Sequence, residues 1–165
     1  AIKVNPKFAP ALNNLGTVHF YQKKFRRAIK VYQRAIVLRP DSATFQGNLG
    51  HAFFADKKYP EAIEAWGRAL ALDPQVFEQH GSGGTILQTS SVEQRATFYF
   101  YMAKTYASMG NAERCARFLK RAIEEGYKNY AAVEKDPAFA TVINDPLVKE
   151  ALQTPPPAPA SKPTS

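Results

Sequence analysis

The chain has 165 residues, and its 22 lysines and arginines outnumber its 14 aspartates and glutamates, for a formal net charge of +8. This length predicts one compact domain or a short repeat array, and a composition that is 45% hydrophobic and 22% charged predicts that most of the chain folds. A single cysteine excludes a disulfide scaffold and a cysteine-based zinc cluster, and no apolar run approaches the roughly 18 residues of a membrane-spanning helix.

Residues 9–42 and 43–76 are two copies of one 34-residue unit, identical at thirteen positions. Residues 96–129 continue the pattern after an interruption, at an offset of 53 from the second copy. The opening residues match the end of such a unit, because Ala1, Ile2, Val4 and Pro6 correspond to residues 35, 36, 38 and 40. We therefore expect a fragment of a longer repeat array.

Each unit is predicted to form two helices. In the first unit, one set of residues recurs at helical spacing up to a turn at 22–24, and a second set recurs after it. The first set is Leu12, Leu15, Gly16 and His19, and the second is Phe25, Ala28, Ile29, Tyr32, Ala35 and Ile36. Small residues are expected where paired helices approach closely: Gly16, Gly50, Ala103, Ala28, Ala62 and Cys115.

In a 34-residue period, a Leu-Gly pair is followed by an aromatic residue and then by Ala, an aromatic residue, Ala and Pro. This pattern resembles the tetratricopeptide repeat family. The resemblance covers residues 1–129 without 77–95, and it departs from the pattern at His19. It implies an all-α, right-handed α-solenoid of antiparallel helix pairs. The expected divisions are the end of a preceding unit at 1–8, units at 9–42, 43–76 and 96–129, an insertion at 77–95, C-terminal capping helices at 130–153 and a disordered Pro-rich tail at 154–165.

Segments outside the repeats carry their own signals. Gly81–Gly84 is expected to be a flexible loop, and Ser90-x-x-Glu93 is a capping box that predicts a helix start near Val92. Asp136-Pro137 and Asp145-Pro146 each offer an N-cap followed by proline at the first helical position. The two short helices predicted there would cover the open end of the stack.

Groups that could carry catalysis are scarce. The three histidines, His19, His51 and His80, have no metal-ligand spacing. Cys115 replaces a close-contact alanine and is expected to be a small buried hydrophobe. We therefore expect no enzymatic activity, no metal and no cofactor.

The resemblance implies a concave groove formed by the first helix of each unit. The residues expected to line it are Asn13, Asn14, Thr17, Phe20, Tyr21, Asn48, His51, Phe54, Phe100 and Lys104. Asn14 and Asn48 lie 34 residues apart, and their amides could hold an extended peptide backbone, since an amide both donates and accepts. The alternatives are that these asparagines hydrogen-bond within the stack and that the aromatics pack within it.

Residues 1–42 hold nine basic residues and one acidic residue, so this segment alone equals the net charge. Its basic patch is Arg26, Arg27, Lys30 and Arg34 on the second helix. Like charges spaced by four destabilise a helix slightly. Three interpretations remain open: a solvated face, a contact with an acidic upstream repeat, or an anionic partner. We do not expect nucleic acid, because no recognised binding module is present.

The sequence thus predicts a non-enzymatic protein–protein interaction scaffold that binds a peptide segment of a partner in its concave groove. One alternative is a targeting or scaffold arm of a larger enzyme such as a glycosyltransferase. The other is a binder of an anionic surface through the basic first unit. A single cysteine fits the cytoplasm or a periplasm, and we expect a soluble cytoplasmic protein. The open repeat end also leaves room for a homo-oligomer.

Overall fold

The computed structural model describes residues 5–79 and 91–158, and all regular structure in those residues is helical. The chain divides into two compact units, an N-terminal unit over residues 1–88 and a C-terminal unit over residues 89–165. Some sequence predictions fall outside the described residues: those on residues 1–4, His80, Gly81–Gly84, Ser90 and the tail from 159 onward.

Over residues 5–79, the N-terminal unit consists of two helix pairs with a short helix on either side. A 3-10 helix, Pro6–Phe8, precedes α1 (Ala9–Tyr21), α2 (Phe25–Leu38), α3 (Ala43–Ala55) and α4 (Tyr59–Leu72), and α5 (Val76–Gln79) follows them. Helix α1 packs on α2 and α3 packs on α4, while α2 also packs on α3 and so joins the two pairs. The predicted two-helix repeat is therefore confirmed.

The C-terminal unit is built around a third helix pair. It contains α6 (Val92–Ser108), α7 (Ala112–Glu124), the 3-10 helices Tyr130–Lys135 and Pro137–Phe139, and α8 (Pro146–Leu152). Pro137–Phe139 packs on α6, and α8 packs on α7. The side chains of Phe139, Val142 and Val148 are buried there. The predicted all-α class is confirmed.

Two aspartates start the last short helices, as predicted. Asp136 Oδ1 accepts a hydrogen bond from the Ala138 N–H at 3.0 Å, and Asp145 Oδ1 accepts one from the Leu147 N–H at 2.9 Å. In both cases proline occupies the first turn, where its missing N–H costs nothing.

Helix α6 begins at Val92 as predicted, but its N-cap is Ser91 instead of Ser90. Ser91 Oγ accepts from the Gln94 N–H at 3.2 Å, and Gln94 Oε1 accepts from the Ser91 N–H at 3.1 Å. The sequence contains two overlapping capping-box frames one residue apart, and both have the required side-chain chemistry. The sequence prediction chose the wrong frame.

Each first helix of a pair is followed, two residues after its last residue, by a residue with positive φ. These residues, Lys23 (58°), Lys57 (61°) and Gly110 (72°), occupy equivalent repeat positions. In each case the residue's N–H donates to the carbonyl three residues earlier, and the following N–H donates to the carbonyl five residues earlier, which is a Schellman motif. A residue with a Cβ adopts this conformation at a cost of about 1–2 kcal/mol, so the two lysine turns carry strain that Gly110 avoids.

We predict that Lys57→Gly raises the free energy of unfolding by about 0.5–1 kcal/mol, because relief of strain exceeds the extra entropy of glycine in the unfolded chain. Gly110→Lys should lower it by about 1 kcal/mol for the converse reason. Urea denaturation measures both changes. Lys58→Gly is the matched control, since Lys58 has a negative φ of −91°. A Lys57→Gly protein no more stable than wild type contradicts the prediction.

The helices of each N-terminal pair approach each other at a glycine under an aromatic ring. A Cβ added at Gly16 would lie 2.6 Å from Tyr32 Cδ1, and one added at Gly50 would lie 2.3 Å from Trp66 Cδ1. Real Cβ atoms do not approach other atoms so closely. The predicted close approach at these glycines is therefore confirmed.

In the third pair, side chains of different volumes fill the space between the two helices. It carries Ala103 in place of the glycine and Leu119 in place of the aromatic, and both side chains are fully buried. A larger residue on the first helix thus goes with a smaller residue on the second, as constant core volume requires.

Gly50→Ala should lower the free energy of unfolding by about 1–3 kcal/mol, because the new methyl group overlaps the Trp66 ring. Adding Trp66→Leu should recover part of this loss, since the third pair packs alanine with leucine. A double-mutant cycle in urea measures the coupling. Gly67→Ala is the control: nothing lies within 4 Å of its Cβ position, so it should stabilise α4 by up to about 1 kcal/mol. Additive effects of the two core changes contradict the prediction.

One predicted core residue lies at the surface. Leu15 was expected on the buried face of α1, but 45% of it is exposed, and Val18 one turn further is 50% exposed. The equivalent residues of α3, Leu49 and Ala52, are 5% and 0% exposed because α2 covers them. Leu15 is exposed because no helix among the described residues packs on α1 in the way that α2 packs on α3.

Candidate peptide-binding surface

An asparagine pair bridges the two first helices of the N-terminal unit. Asn48 Nδ2 on α3 donates to Asn13 Oδ1 on α1 at 3.0 Å. Asn13 is 8% exposed, Asn48 is half-buried, and Asn14 is exposed. The sequence predicted Asn14 and Asn48 as equivalent rungs, but the amide that contacts Asn48 is that of Asn13. Two residues at equivalent positions in consecutive repeats are therefore not necessarily in contact with each other.

The hydroxyl of Thr17 is held within the first pair. Its Oγ1 lies 3.1 Å from the Asn13 carbonyl oxygen, to which it donates, and 3.0 Å from Tyr32 Oη. Burial raises the pKa of Tyr32 above its usual value, so its hydroxyl stays protonated and can donate to Thr17. Thr17 thus ties α1 to α2 through the Tyr32 hydroxyl.

Two aromatic residues close the same surface at the end of α1. Phe20 is half-buried, with its ring centroid 5.5 Å from that of Phe25 on α2. Tyr21 is 60% exposed and lies edge-on to Phe20 at 6.2 Å. Asn14 and Tyr21 are therefore the predicted groove residues of α1 that are most accessible to a partner.

Two predicted groove residues of α3 are instead buried. His51 is 6% exposed, with its ring centroid 5.6 Å from Trp66 and 5.9 Å from Phe77. Phe54 is 8% exposed and lies 5.8 Å from Trp66. The expectation that His51 points into an open groove is wrong, because Phe77 of α5 packs over this part of α3. A Cβ at Gly47 would lie 3.3 Å from the same Phe77 ring, so the glycine makes room for it.

Sequence reasoning missed Phe77 because it belongs to the insertion, where the repeat pattern gives no register. The usable signal was local: an apolar Val76-Phe77 pair begins two residues after Pro74, and Val76 is 3% exposed. An apolar pair immediately after a repeat is expected to fold back on it.

Burial lowers the pKa of His51 to about 4. In the unfolded chain the imidazole has a pKa near 6.5, so between these values the unfolded state binds more protons than the folded state. Stability is therefore full above pH 6.5 and falls as the pH drops towards 4. We predict a loss of about 2 kcal/mol between pH 7.5 and 5 that is absent in His51→Phe. Urea denaturation at several pH values measures it, and equal slopes in the two proteins contradict it.

In the C-terminal unit the predicted groove residues make contacts within the unit. Phe100 is 7% exposed and stacks on Tyr127, with centroids 4.1 Å apart and planes at 12°. Lys104 Nζ forms an ion pair with Asp136 Oδ2 at 2.6 Å. Both partners lie in the segment after α7, and Asp136 also caps the next helix. These two side chains therefore fasten that segment to α6.

The basic patch lies on the surface of α2. Arg26, Arg27, Lys30 and Arg34 are all exposed. Arg26 Nε lies 3.8 Å from Asp56 Oδ2, which Lys58 also approaches at 3.7 Å. Because both cationic partners are exposed, pairs at these distances contribute little to stability. The patch therefore remains a strongly positive surface.

Cys115 is fully buried, and burial, with a smaller contribution from Asp145, raises the pKa of its thiol to about 12. Its sulfur is a protonated packing group at neutral pH, as predicted, and not a nucleophile. Among the residues that the structure describes, no three metal-binding side chains cluster. Within those same ranges, no helix combines the length and the apolar character needed to cross a membrane.

Comparison with known proteins agrees with the helix pairs. Residues 13–76 match the family described as "Tetratricopeptide repeat". This segment therefore belongs to the tetratricopeptide repeat family, and the repeats support a general role as a protein–protein interaction scaffold. Among solved structures, the N-terminal domain of stress-induced protein-1 (STI-1) from C. elegans is similar, with 20% identity, coverage of 88% of this chain and 95% of that chain, and a TM-score of 0.45. No curated protein matches the sequence.

Proposed function

We propose that the chain is a non-enzymatic scaffold that binds an extended peptide segment of a partner on the first-helix surface of its N-terminal unit. The observation that carries this proposal is the amide bridge between Asn13 and Asn48, with Asn14 exposed beside it. The bridge uses one amide hydrogen of Asn48. Its second hydrogen and its carbonyl oxygen have the chemistry to pair with a peptide C=O and N–H.

The accessible side chains favour recognition of the peptide backbone. Asn14 and Asn48 supply hydrogen bonds that do not depend on the peptide's side chains, whereas Tyr21 and the half-buried Phe20 supply apolar area at one end. An extended peptide presents regularly spaced N–H and C=O groups that amides can engage. His51 and Phe54 lie inside the unit, so they support the surface from beneath.

To test the proposal, a display library of random twelve-residue peptides is selected on the chain, and the affinities of the selected peptides are measured by fluorescence anisotropy. Asn14→Ala/Asn48→Ala should weaken their binding by about five- to hundredfold, since each lost hydrogen bond is worth about 0.5–1.5 kcal/mol. Tyr21→Ala should weaken binding of peptides with an apolar residue near one end. Helical circular dichroism should stay unchanged in both variants.

Two controls separate binding from packing. Asn13→Ala breaks the amide bridge but leaves the amide of Asn48 in place, so a merely structural effect would appear equally in this variant. Gln33→Ala removes an exposed amide from α2, outside the surface. Selected peptides that bind the Asn14→Ala/Asn48→Ala protein as tightly as wild type would rule out the proposed site.

A further inference from the structure

The first helix pair exposes a mixed apolar and cationic surface, and the equivalents of its apolar positions in the second pair are covered by α2. We call this surface the end face, and it consists of Leu15, Val18, Arg27, Lys30 and Arg34. Leu15 and Val18 are 45% and 50% exposed, and the three cationic residues are also exposed. A surface that combines half-exposed aliphatic side chains with clustered charge is typical of a protein interface.

The second pair shows what fits this geometry. Its equivalents of Leu15 and Val18 are Leu49 and Ala52, which are buried in a cluster with Ile29 and Tyr32 of α2. The docked element is therefore an amphipathic helix that presents aliphatic and aromatic side chains. Because α1 repeats the backbone and spacing of α3, the end face is shaped for a helix of the same kind.

The charges specify that helix further. On α4, the positions equivalent to Arg27, Lys30 and Arg34 hold Glu61, Glu64 and Arg68, and Glu64 forms an ion pair with Arg68. Together with Gln33 and Val37 of α2, these α4 residues line a cleft of about 400 Å³. A helix docked on the end face as α2 docks on α3 would thus place its own equivalents of residues 33 and 37 beside the end-face cations.

On the end face, all three of these positions are cationic, and none of the three forms an ion pair within the described residues. We propose that the end face docks an amphipathic helix of a partner protein, with apolar residues against Leu15 and Val18 and acidic residues against Arg27, Lys30 and Arg34. Complementary charge selects this partner over a helix like α2 itself, which is basic.

The test uses two helical peptides derived from residues 25–38, capped at both termini, with alanine in place of their own four basic residues. The acidic probe carries Gln33→Glu and Val37→Glu, and the control probe carries Gln33→Lys and Val37→Lys. Isothermal titration calorimetry on the full chain should give about tenfold tighter binding of the acidic probe at low salt. The difference should shrink as salt screens the charges.

Variants of the full chain locate the binding. Leu15→Glu/Val18→Glu should reduce binding of the acidic probe at least tenfold, and Val18→Glu alone serves if the double variant unfolds. Arg27→Glu/Lys30→Glu/Arg34→Glu should invert the preference between the probes. Lys120→Glu/Lys128→Glu/Lys149→Glu makes the same change in net charge at exposed positions of the C-terminal unit and should leave the preference unchanged.

Four outcomes would overturn the proposal. The first is equal affinity for the two probes, and the second is acidic-probe binding that survives both Leu15→Glu/Val18→Glu and Val18→Glu. The third is self-association of the chain in sedimentation velocity that Val18→Glu abolishes, which would make a second copy the occupant. The fourth is binding to anionic vesicles or duplex DNA that requires Arg27, Lys30 and Arg34 while the acidic probe does not bind.

Discussion

The contact between a glycine on the first helix of a pair and an aromatic ring on the second sets the geometry of the N-terminal unit. With Tyr32 against Gly16 and Trp66 against Gly50, there is no space for a Cβ between the two helices. This approach sets the spacing of α1 from α2 and of α3 from α4. Because the rings fill the inside of each pair, the first helices can present polar residues such as Asn14 and Asn48 on the opposite side. The asparagine bridge thus depends on packing that lies beneath it.

The first-helix surface is partly occupied by the chain's own segments. Phe77 packs on His51 in the N-terminal unit, while Tyr127 and Asp136 hold Phe100 and Lys104 in the C-terminal unit. These contacts use positions that the resemblance to other repeats assigned to partners. Each also fastens a non-repetitive segment onto a helix of a pair. The peptide site that we propose therefore lies on α1 and at Asn48 of α3, next to the part of α3 that Phe77 covers.

The sequence predicted the local features of the fold well, because they depend on neighbours within a few residues. The Asp-Pro helix starts and the start of α6 at Val92 follow from chemistry within one turn of helix, and the close-contact glycines follow from packing within one helix pair. Contacts between repeats and insertions were harder to predict. The 34-residue period pairs Asn14 with Asn48, yet the helices meet one residue away, at Asn13. A period defines equivalence in sequence, whereas the contact between two helices depends on how far one is displaced and rotated against the other.

Helices α2 and α4 occupy equivalent positions and differ mainly in charge. Helix α4 has Glu61 in its first turn and a Glu64–Arg68 ion pair, both of which favour a helix on its own. Neither helix has a side-chain N-cap, but α2 has no acidic residue in its first turn and repeats cations at a spacing of four. Intrinsic helix stability therefore does not account for the charge of α2. The cations along α2 repel one another and destabilise the helix. If an acidic helix packed beside α2, the same cations would attract it across the interface, which gives a physical reason for their presence.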